Sequence, residues 1–399
     1  MVYGTRPEAI KMAPVVTALQ RSEVLEPVVA VTGQHREMLD QVNTLFGIEP
    51  SHDLDILTQR QGLEAITAKA LGGVSDVIAR EEPGAVLVQG DTTTCFAAAL
   101  AAFYCKVPLV HLEAGLRTGD RYNPFPEELN RRLTSQLASL HLAPTPTSRA
   151  NLLADGIDPG DIVVTGNTVI DALYTVTSQS PSLDNPDLAP LLGRPMVLVT
   201  AHRRESWGEP MACSARAIAR LAHAFPHMTF LLPAHLNPVV REVLLPPLAD
   251  LDNVIVTNPL SYSDFALAMA ASTIVLTDSG GVQEEAPSLG KPVLVMRETT
   301  ERPEAVTAET SGWWGRTRNS SSNGSPGCSR NLPRTTKWHA RSIRTATGAP
   351  HSVPWRRSST SSASDLAPRS SRPSRRSAPT DRTGCCVVRN ECPSKEYGR

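Results

Sequence analysis

Thr277-Asp278-Ser279-Gly280-Gly281-Val282-Gln283-Glu284-Glu285 follows the apolar run Thr273-Ile274-Val275-Leu276 and leads into Ala286-Pro287-Ser288-Leu289-Gly290-Lys291-Pro292. The apolar run reads as a buried strand, Ser-Gly-Gly as a tight turn and the next residues as a short helix, so backbone N–H groups gather where strand meets helix. An anion fits there. Gly280 and Gly281 let the backbone approach a ligand with no Cβ in the way, and Glu285, one turn into the helix, can accept hydrogen bonds from a ribose diol. A Gly-Gly pair between strand and helix is equally a sharp turn, and the stretch alone leaves both readings open.

The same pattern recurs along the chain. Val2 to Thr5 turns at Gly4-Thr5-Arg6-Pro7 into a helix with Ile10, Met12, Val15, Val16 and Leu19 on one side. That strand is short for a central position, as if the start had clipped it. Arg6 and Lys11 put cations in the first turns of the helix, where they oppose its dipole; either an anion binds there or Glu8 neutralises them. Strands are expected at 27–31, 54–57, 85–88, 107–113, 141–144 and 162–165, with helices at 36–46 and from about Gly62 to Arg80. Ala85-Val86-Leu87-Val88 has no polar interruption, as in a parallel sheet covered on both faces. The linker-like composition of Pro181 to Pro195 marks a domain boundary. Beyond it, strands at 196–200, 230–232, 254–256, 273–276 and 293–297 repeat the alternation, which implies two doubly wound α/β domains.

Asp91, Glu113, His202, His235 and the Ser-Gly-Gly all fall at the carboxyl ends of expected strands, the edge where open α/β sheets bind ligands. Each has a structural reading as well: Asp91 serves equally as N-cap of the Ala-rich helix after it, and Glu127 or Glu128 as a carboxylate favouring a helix N-terminus. Together they point to a cleft between the domains. Its basic groups and glycines (Arg6, Lys11, His202, Arg203, Gly280, Gly281) suit phosphates, and its carboxylates (Asp91, Glu113, Glu127) suit proton transfer.

The chain has 399 residues and a formal charge of -1, but the charge is unevenly spread. From residue 309 onward there are about 17 basic and about 5 acidic side chains, which leaves the preceding part near -13. An acidic body argues against nucleic acid as the main partner. No h-region opens the chain and no apolar stretch reaches membrane length, so a cytoplasmic protein is expected. Cys95, Cys105 and Cys213 form neither a metal clamp nor a disulfide framework. No Gly-x-Gly-x-x-Gly after a strand, Walker motif, His-Glu-x-x-His or Cys-x-x-Cys occurs, so neither cofactor nor metal is expected.

Gly4-Thr5-Arg6-Pro7-Glu8-Ala9-Ile10-Lys11-Met12-Ala13-Pro14, Gln34-His35-Arg36-Glu37-Met38-Leu39-Asp40, Gly90-Asp91-Thr92-Thr93-Thr94, His111-Leu112-Glu113-Ala114-Gly115-Leu116-Arg117, His202-Arg203-Arg204-Glu205 and Thr277 to Arg302 resemble the non-hydrolysing UDP-N-acetylglucosamine 2-epimerases of bacteria. The resemblance runs from residue 1 to about 308. It implies two Rossmann-like domains in a glycosyltransferase-B-type arrangement, 1–180 and 181–308, and a homodimer. It also implies interconversion of UDP-N-acetylglucosamine and UDP-N-acetylmannosamine for surface polysaccharides, without cofactor or metal. Position by position it gives Asp91, Glu113, Glu127 and His202 to catalysis. Arg6, Lys11, Phe265, Ser279, Gly280, Gly281, Glu285 and Arg302 fall to substrate binding, with Leu260 standing where a relative has Gln. Gln34, Arg60, Gln61, Arg203 and His235 resemble a second, activating UDP-sugar site. A hydrolysing epimerase and an inactive UDP-sugar-binding protein are the alternatives.

The resemblance stops where the sequence turns Ser-, Arg- and Pro-rich. Trp313, Trp314, Trp338 and Trp355 hold four of the five tryptophans, and Arg356-Arg357-Ser358-Ser359-Thr360 has no apolar period. Such a change inside a domain is what a frameshift near codon 309 would produce; a basic disordered tail is the other reading of 309–399.

Overall fold

The computed structural model describes residues 1–33, 36–56, 61–179, 182–201, 207–296 and 311–313. The first half alternates β1 (Val2–Tyr3), α1 (Arg6–Gln20), β2 (Ala30–Val31), α2 (Arg36–Phe46), β3 (His52–Asp53), α3 (Leu63–Glu81), β4 (Val86–Gln89), α4 (Thr93–Tyr104), β5 (Leu109–Leu112), α5 (Glu127–Leu137), β6 (Leu140–Ala143), α6 (Pro146–Ala154), β7 (Ile162–Val164) and α7 (Thr168–Gln179). The second runs β8 (Met196–Thr200), α8 (Glu209–Ala224), β9 (Thr229–Pro233), α9 (Pro238–Leu244), β10 (Val254–Thr257), α10 (Tyr262–Ala271), β11 (Ile274–Thr277), α11 (Val282–Ser288), β12 (Val293–Val295) and β13 (Ser311–Trp313).

The strands form two sheets, ordered β3-β2-β1-β4-β5-β6-β7 and β10-β9-β8-β11-β12-β13, with parallel pairing throughout. The expected pair of doubly wound α/β domains is therefore present. In each sheet the order reverses once, between β1 and β4 and between β8 and β11, and ligands of such sheets bind at the carboxyl ends flanking that point. The loops carrying Arg6 and Asp91 flank the first reversal, and the Ser-Gly-Gly loop lies at the second.

Continuous apolar runs explain the sheets. Met196 to Thr200 and Ile274 to Thr277 are buried at every position, because helices cover both faces. Two cores sandwich the second sheet, one around Val197, Ile218, Phe230 and Leu244 and one around Leu198, Leu231, Met269 and Val275. Burial of each such side chain contributes about 1.5–3 kcal/mol.

Two local expectations shift. The third strand is His52–Asp53, and of the expected 54–57 stretch Leu54 still donates to Val31 O at 2.8 Å before Asp55 (φ +41°) breaks the ladder. Leu54 and Ile56 turn inward to pack with residues of α3, and Leu57 lies outside the described residues. At the far edge, β13 pairs with β12 in the register Val293↔Ser311, so three residues beyond the expected change at 309 extend the sheet. The rest of 309–399 lies outside the described residues.

α7 follows the first sheet in sequence yet packs against both halves, on α1 and on α10 and α11. Leu173 and Val176 cluster with Ala266, and Leu45, Phe46, Tyr262 and Leu289 close around them. Among the described residues, no helix is long and apolar enough to cross a membrane.

Candidate active site

Arg6 is the first residue of α1, directly after the β1 turn. Glu8 does not neutralise it. The buried Glu8 carboxylate accepts from Gly4 N at 2.9 Å, Thr5 N at 2.8 Å and Thr92 Oγ1 at 2.6 Å, tying the β1 turn to the β4 turn. Burial pushes the Glu8 pKa up and these donors pull it back. Arg6 is left facing Glu285 of α11: burial lowers its pKa and the Glu285 carboxylate raises it. The first turn of α1 thus holds a partly buried guanidinium whose local carboxylate is committed elsewhere.

The N-cap reading of Asp91 gives way, because Thr92 caps α4 by accepting from Cys95 N at 3.0 Å. Gly90 (φ +70°) turns the chain at the end of β4, and a side chain there would be strained. Asp91 Oδ2 then meets Arg131 of α5 at 2.7 Å, and its carbonyl accepts from Asn130 Nδ2 at 3.0 Å. Burial raises the Asp91 pKa, Arg131 lowers it, Glu113 raises it, Lys11 lowers it and Glu127 raises it. Screened charges act on one another within roughly 10 Å, so the three expected carboxylates and Lys11 occupy one electrostatic neighbourhood.

Glu113 follows β5 with φ +62°, a left-handed backbone that costs a non-glycine residue about 1–3 kcal/mol. Its side chain is held on both oxygens. Oε2 receives Lys11 Nζ and Gln89 Nε2, and Oε1 receives Asn167 Nδ2 at 3.0 Å. Of the two glutamates opening α5, Glu128 is the structural one: buried, it accepts from Thr118 N at 3.0 Å and pairs with Arg131 and Arg132. Glu127 is the half-buried neighbour that acts on Asp91.

Beneath this cluster lies His111 of β5, fully buried, with Nε2 2.7 Å from Gly90 O. A carbonyl only accepts, so Nε2 carries the proton, and buried Nδ1 has no partner. Burial, partly offset by Gly90 O, pulls the His111 pKa down to about 4. The unfolded imidazole titrates near 6.5, so the native state prefers the neutral form. That preference is fully present above pH 6.5 and is lost as pH falls toward 4. At about 1.4 kcal/mol per pH unit the loss reaches about 3 kcal/mol. In urea titrations at pH 7 and pH 4.5, His111→Gln is expected to lose about 2 kcal/mol less stability on acidification than wild type.

In the second half, Ser279, Gly280 and Gly281 join β11 to α11. Ser279 N donates to Thr277 Oγ1 at 2.9 Å and Ser279 O accepts from Gln283 Nε2 at 3.2 Å, which fixes the turn. Gly281 has ordinary helical dihedrals (φ −63°, ψ −45°), and a Cβ on it would meet only Glu285 Oε2, at 3.8 Å. The sharp-turn reading therefore does not require glycine at 281, whereas close approach of a ligand does. Glu285 is buried, one turn in. Tyr262, the first residue of α10, stacks obliquely on Phe46 of α2, and burial together with Glu285 raises its pKa. Phe265, one turn further along, is half-buried against the core that contains Leu260.

A family model described as UDP-N-acetylglucosamine 2-epimerase matches residues 17–321. The chain belongs to the UDP-N-acetylglucosamine 2-epimerase family. Relatives carrying that name in Salmonella typhimurium and in Escherichia coli K12 are each 52% identical over 316 residues, 77% of this chain and 84% of theirs. The crystal structure of the Neisseria meningitidis UDP-GlcNAc 2-epimerase bound to UDP-GlcNAc superposes with a TM-score of 0.72 at 48% identity, covering 78% of this chain and 85% of that one. The Methanocaldococcus jannaschii enzyme in complex with UDP-GlcNAc and UDP gives 0.67 at 30% identity, covering 79% and 88%.

For this epimerase-family chain the geometry unites Asp91, Glu113, Glu127 and Lys11, and sets Arg6 by Glu285. His202, Arg302, Gln34, Arg60 and Arg203 lie outside the described residues. Of the expected activating site, Gln61 stands just before α3, and His235 is exposed after β9, its Nδ1 accepting from Asn237 N at 3.1 Å. Sequence reasoning missed Gln89, Arg131 and Asn167. The first ends an expected strand and the last follows the Gly166 turn, the same signal that singled out Asp91. Among the described residues, no group of three or more His, Cys, Asp or Glu is arranged to hold a metal.

Proposed function

We propose that the chain interconverts UDP-N-acetylglucosamine and UDP-N-acetylmannosamine without hydrolysis. The observation that carries this is the gathering of Glu113, Glu127 and Lys11 about Asp91 at the carboxyl edge of the first sheet, with Lys11 bonded to Glu113. Arg6 stands beside Glu285 of the glycine-loop helix. The C2 proton of the sugar has no adjacent carbonyl to acidify it, so the C1–O bond breaks first and its electron pair leaves with UDP. Arg6 and Lys11 stabilise the charge growing on the diphosphate. A carboxylate takes the C2 proton, the C1=C2 bond of a 2-acetamidoglucal forms, and a second carboxyl returns a proton to the opposite face while UDP re-adds at C1. Two faces call for two proton carriers, and a site with several carboxylates supplies them. Asp91, whose pKa burial raises against the pull of Arg131, suits the role of a proton carrier.

His202, Ser279, Gly280, Gly281, Phe265 and Arg302 would complete the UDP pocket, with the domain of 1–180 supplying carboxylates and that of 181–308 the nucleotide contacts. Gln34, Arg60, Gln61, Arg203 and His235 would form the activating site. The reading extends to a cytoplasmic homodimer that feeds surface-polysaccharide synthesis.

Proton NMR with UDP-N-acetylglucosamine in D2O tests it. Deuterium entering C2 together with UDP-N-acetylmannosamine is the expected result. Free N-acetylmannosamine accumulating with UDP would mean a hydrolysing enzyme instead, and UDP binding with no C2 exchange an inactive binding protein. Arg6→Ala is expected to raise the UDP Kd by roughly 10–100-fold, the range for a hydrogen bond to a charged group. Isothermal titration calorimetry reads it directly.

A further inference from the structure

Asn167 lies in the turn between β7 and α7, within the first half of the chain. Its Nδ2 donates to Glu113 Oε1 at 3.0 Å and to Glu284 Oε2 of α11 at 2.5 Å, so one amide bridges a carboxylate of each half. The orientation is fixed by its other end, because Oδ1 accepts from Val169 N at 3.2 Å in the first turn of α7. An amide nitrogen has two hydrogens, and here each has its own carboxylate. Two carboxylates this close repel each other unless a donor stands between them.

Neighbouring contacts make the bridge part of a strut. Thr168 Oγ1 donates to Lys11 O at 2.6 Å, and Lys11 Nζ itself reaches Glu113. Six residues on, Tyr174 Oη donates to Ser288 O at 2.7 Å, at the far end of α11. α7 is thus pinned at its start to α1 and Glu113, and along its length to the helix that follows the glycine loop.

We propose that Asn167 is a positioning residue that couples the seating of α11 to the orientation of Glu113, so that the nucleotide half of the cleft sets the carboxylate of the other half. The inference rests on the epimerase reading for its effect on turnover, but the coupling itself does not. When α11 is seated, Glu284 and Glu113 share the amide and Oε1 of Glu113 is aimed. When Glu284 withdraws, Asn167 keeps Val169 N and Glu113 Oε1 but loses its tie to α11, and Glu113, still held at Oε2 by Lys11 and Gln89, is no longer coupled through Oε1 to that helix.

The test compares wild type, Asn167→Ser, Glu284→Ala and the double variant. Serine still caps α7 but is too short to bridge the carboxylates. Asn167→Ser is expected to slow C2 deuterium exchange by roughly 10–100-fold, the range for a misaligned proton carrier, with the UDP Kd within about threefold. Glu284→Ala is expected to slow exchange in wild type and to add little in the Asn167→Ser background, since coupled residues are not additive. Wild-type exchange in Asn167→Ser, or fully multiplicative losses in the double variant, would overturn the proposal.

If wild type shows no C2 exchange, the epimerase reading fails, and backbone hydrogen exchange then decides the coupling. Glu284→Ala, a change in the second half, is expected to speed amide exchange at least about tenfold in peptides containing Glu113 and Val169. Unchanged protection there would refute the coupling whatever the chain catalyses.

Discussion

Asp91→Asn is expected to slow C2 deuterium exchange by about a thousandfold while the UDP Kd stays within about threefold of wild type, the size of effect general acid–base groups carry. The substitution is nearly isosteric. The amide oxygen still accepts from Arg131, now 2.7 Å from Oδ2, and the Asp91 carbonyl keeps its bond from Asn130. Thr92 continues to cap α4, so the helix does not depend on residue 91. What disappears is a carboxyl whose pKa is raised by burial and by Glu113 against the pull of Arg131. An amide neither takes nor returns a proton. NMR of exchange in D2O beside calorimetric UDP titration separates the two effects: parallel loss of binding would show that Asp91 holds substrate and does not move its proton.

Gly115→Ala is expected to be strongly damaging, with the closest backbone clash among the described glycines. Gly115 follows β5 at φ +95°, and a Cβ there would lie 2.3 Å from Ser148 O and 2.8 Å from Ser148 C, both backbone atoms of α6. Backbone cannot swing aside as a side-chain tip does, so α6 must shift, although Asn151 Nδ2 holds it to Gly115 O at 2.9 Å. The left-handed backbone costs about 1–2 kcal/mol and the overpacking about 1–3 more. Against a total stability on the order of 5–15 kcal/mol, a loss of about 4 kcal/mol lowers Tm by roughly 10 °C. Gly119→Ala is the control. It has φ +85° but nothing within 4 Å of the added methyl, so only the backbone cost of about 1–2 kcal/mol is expected in a thermal melt.

Much of this arrangement was legible in the residues. Parallel strands covered on both faces are continuous apolar runs, so Ala85 to Val88, Met196 to Thr200 and Thr273 to Leu276 stood out, each within a residue of the strand that forms, and the residues just after them marked one edge of each sheet. Short edge strands carry a weaker signal. His52–Asp53 has no apolar residue at all, and the eye goes to Leu54 and Ile56, which pack inward on a helix. Roles of adjacent like residues were also hidden. Nothing in Glu127-Glu128 says that the second is the buried partner of Arg131 and Arg132, because that is settled by where α5 begins and which way its first turn faces. The bridging role of Asn167 was hidden for a different reason: its two carboxylates are 54 and 117 positions away.

α7 carries one more consequence. Its Leu173 and Val176 are buried among Ala266, Tyr262 and Leu289, residues that come almost a hundred positions later. A half-protein ended after Gln179 would present that greasy stripe to water, and the complementary half would expose the groove meant to receive it. The two sheets are separate as topology but share a seam as folding units, so heat or urea should melt them together in one cooperative event, and fragments made by cutting between them should find each other in solution.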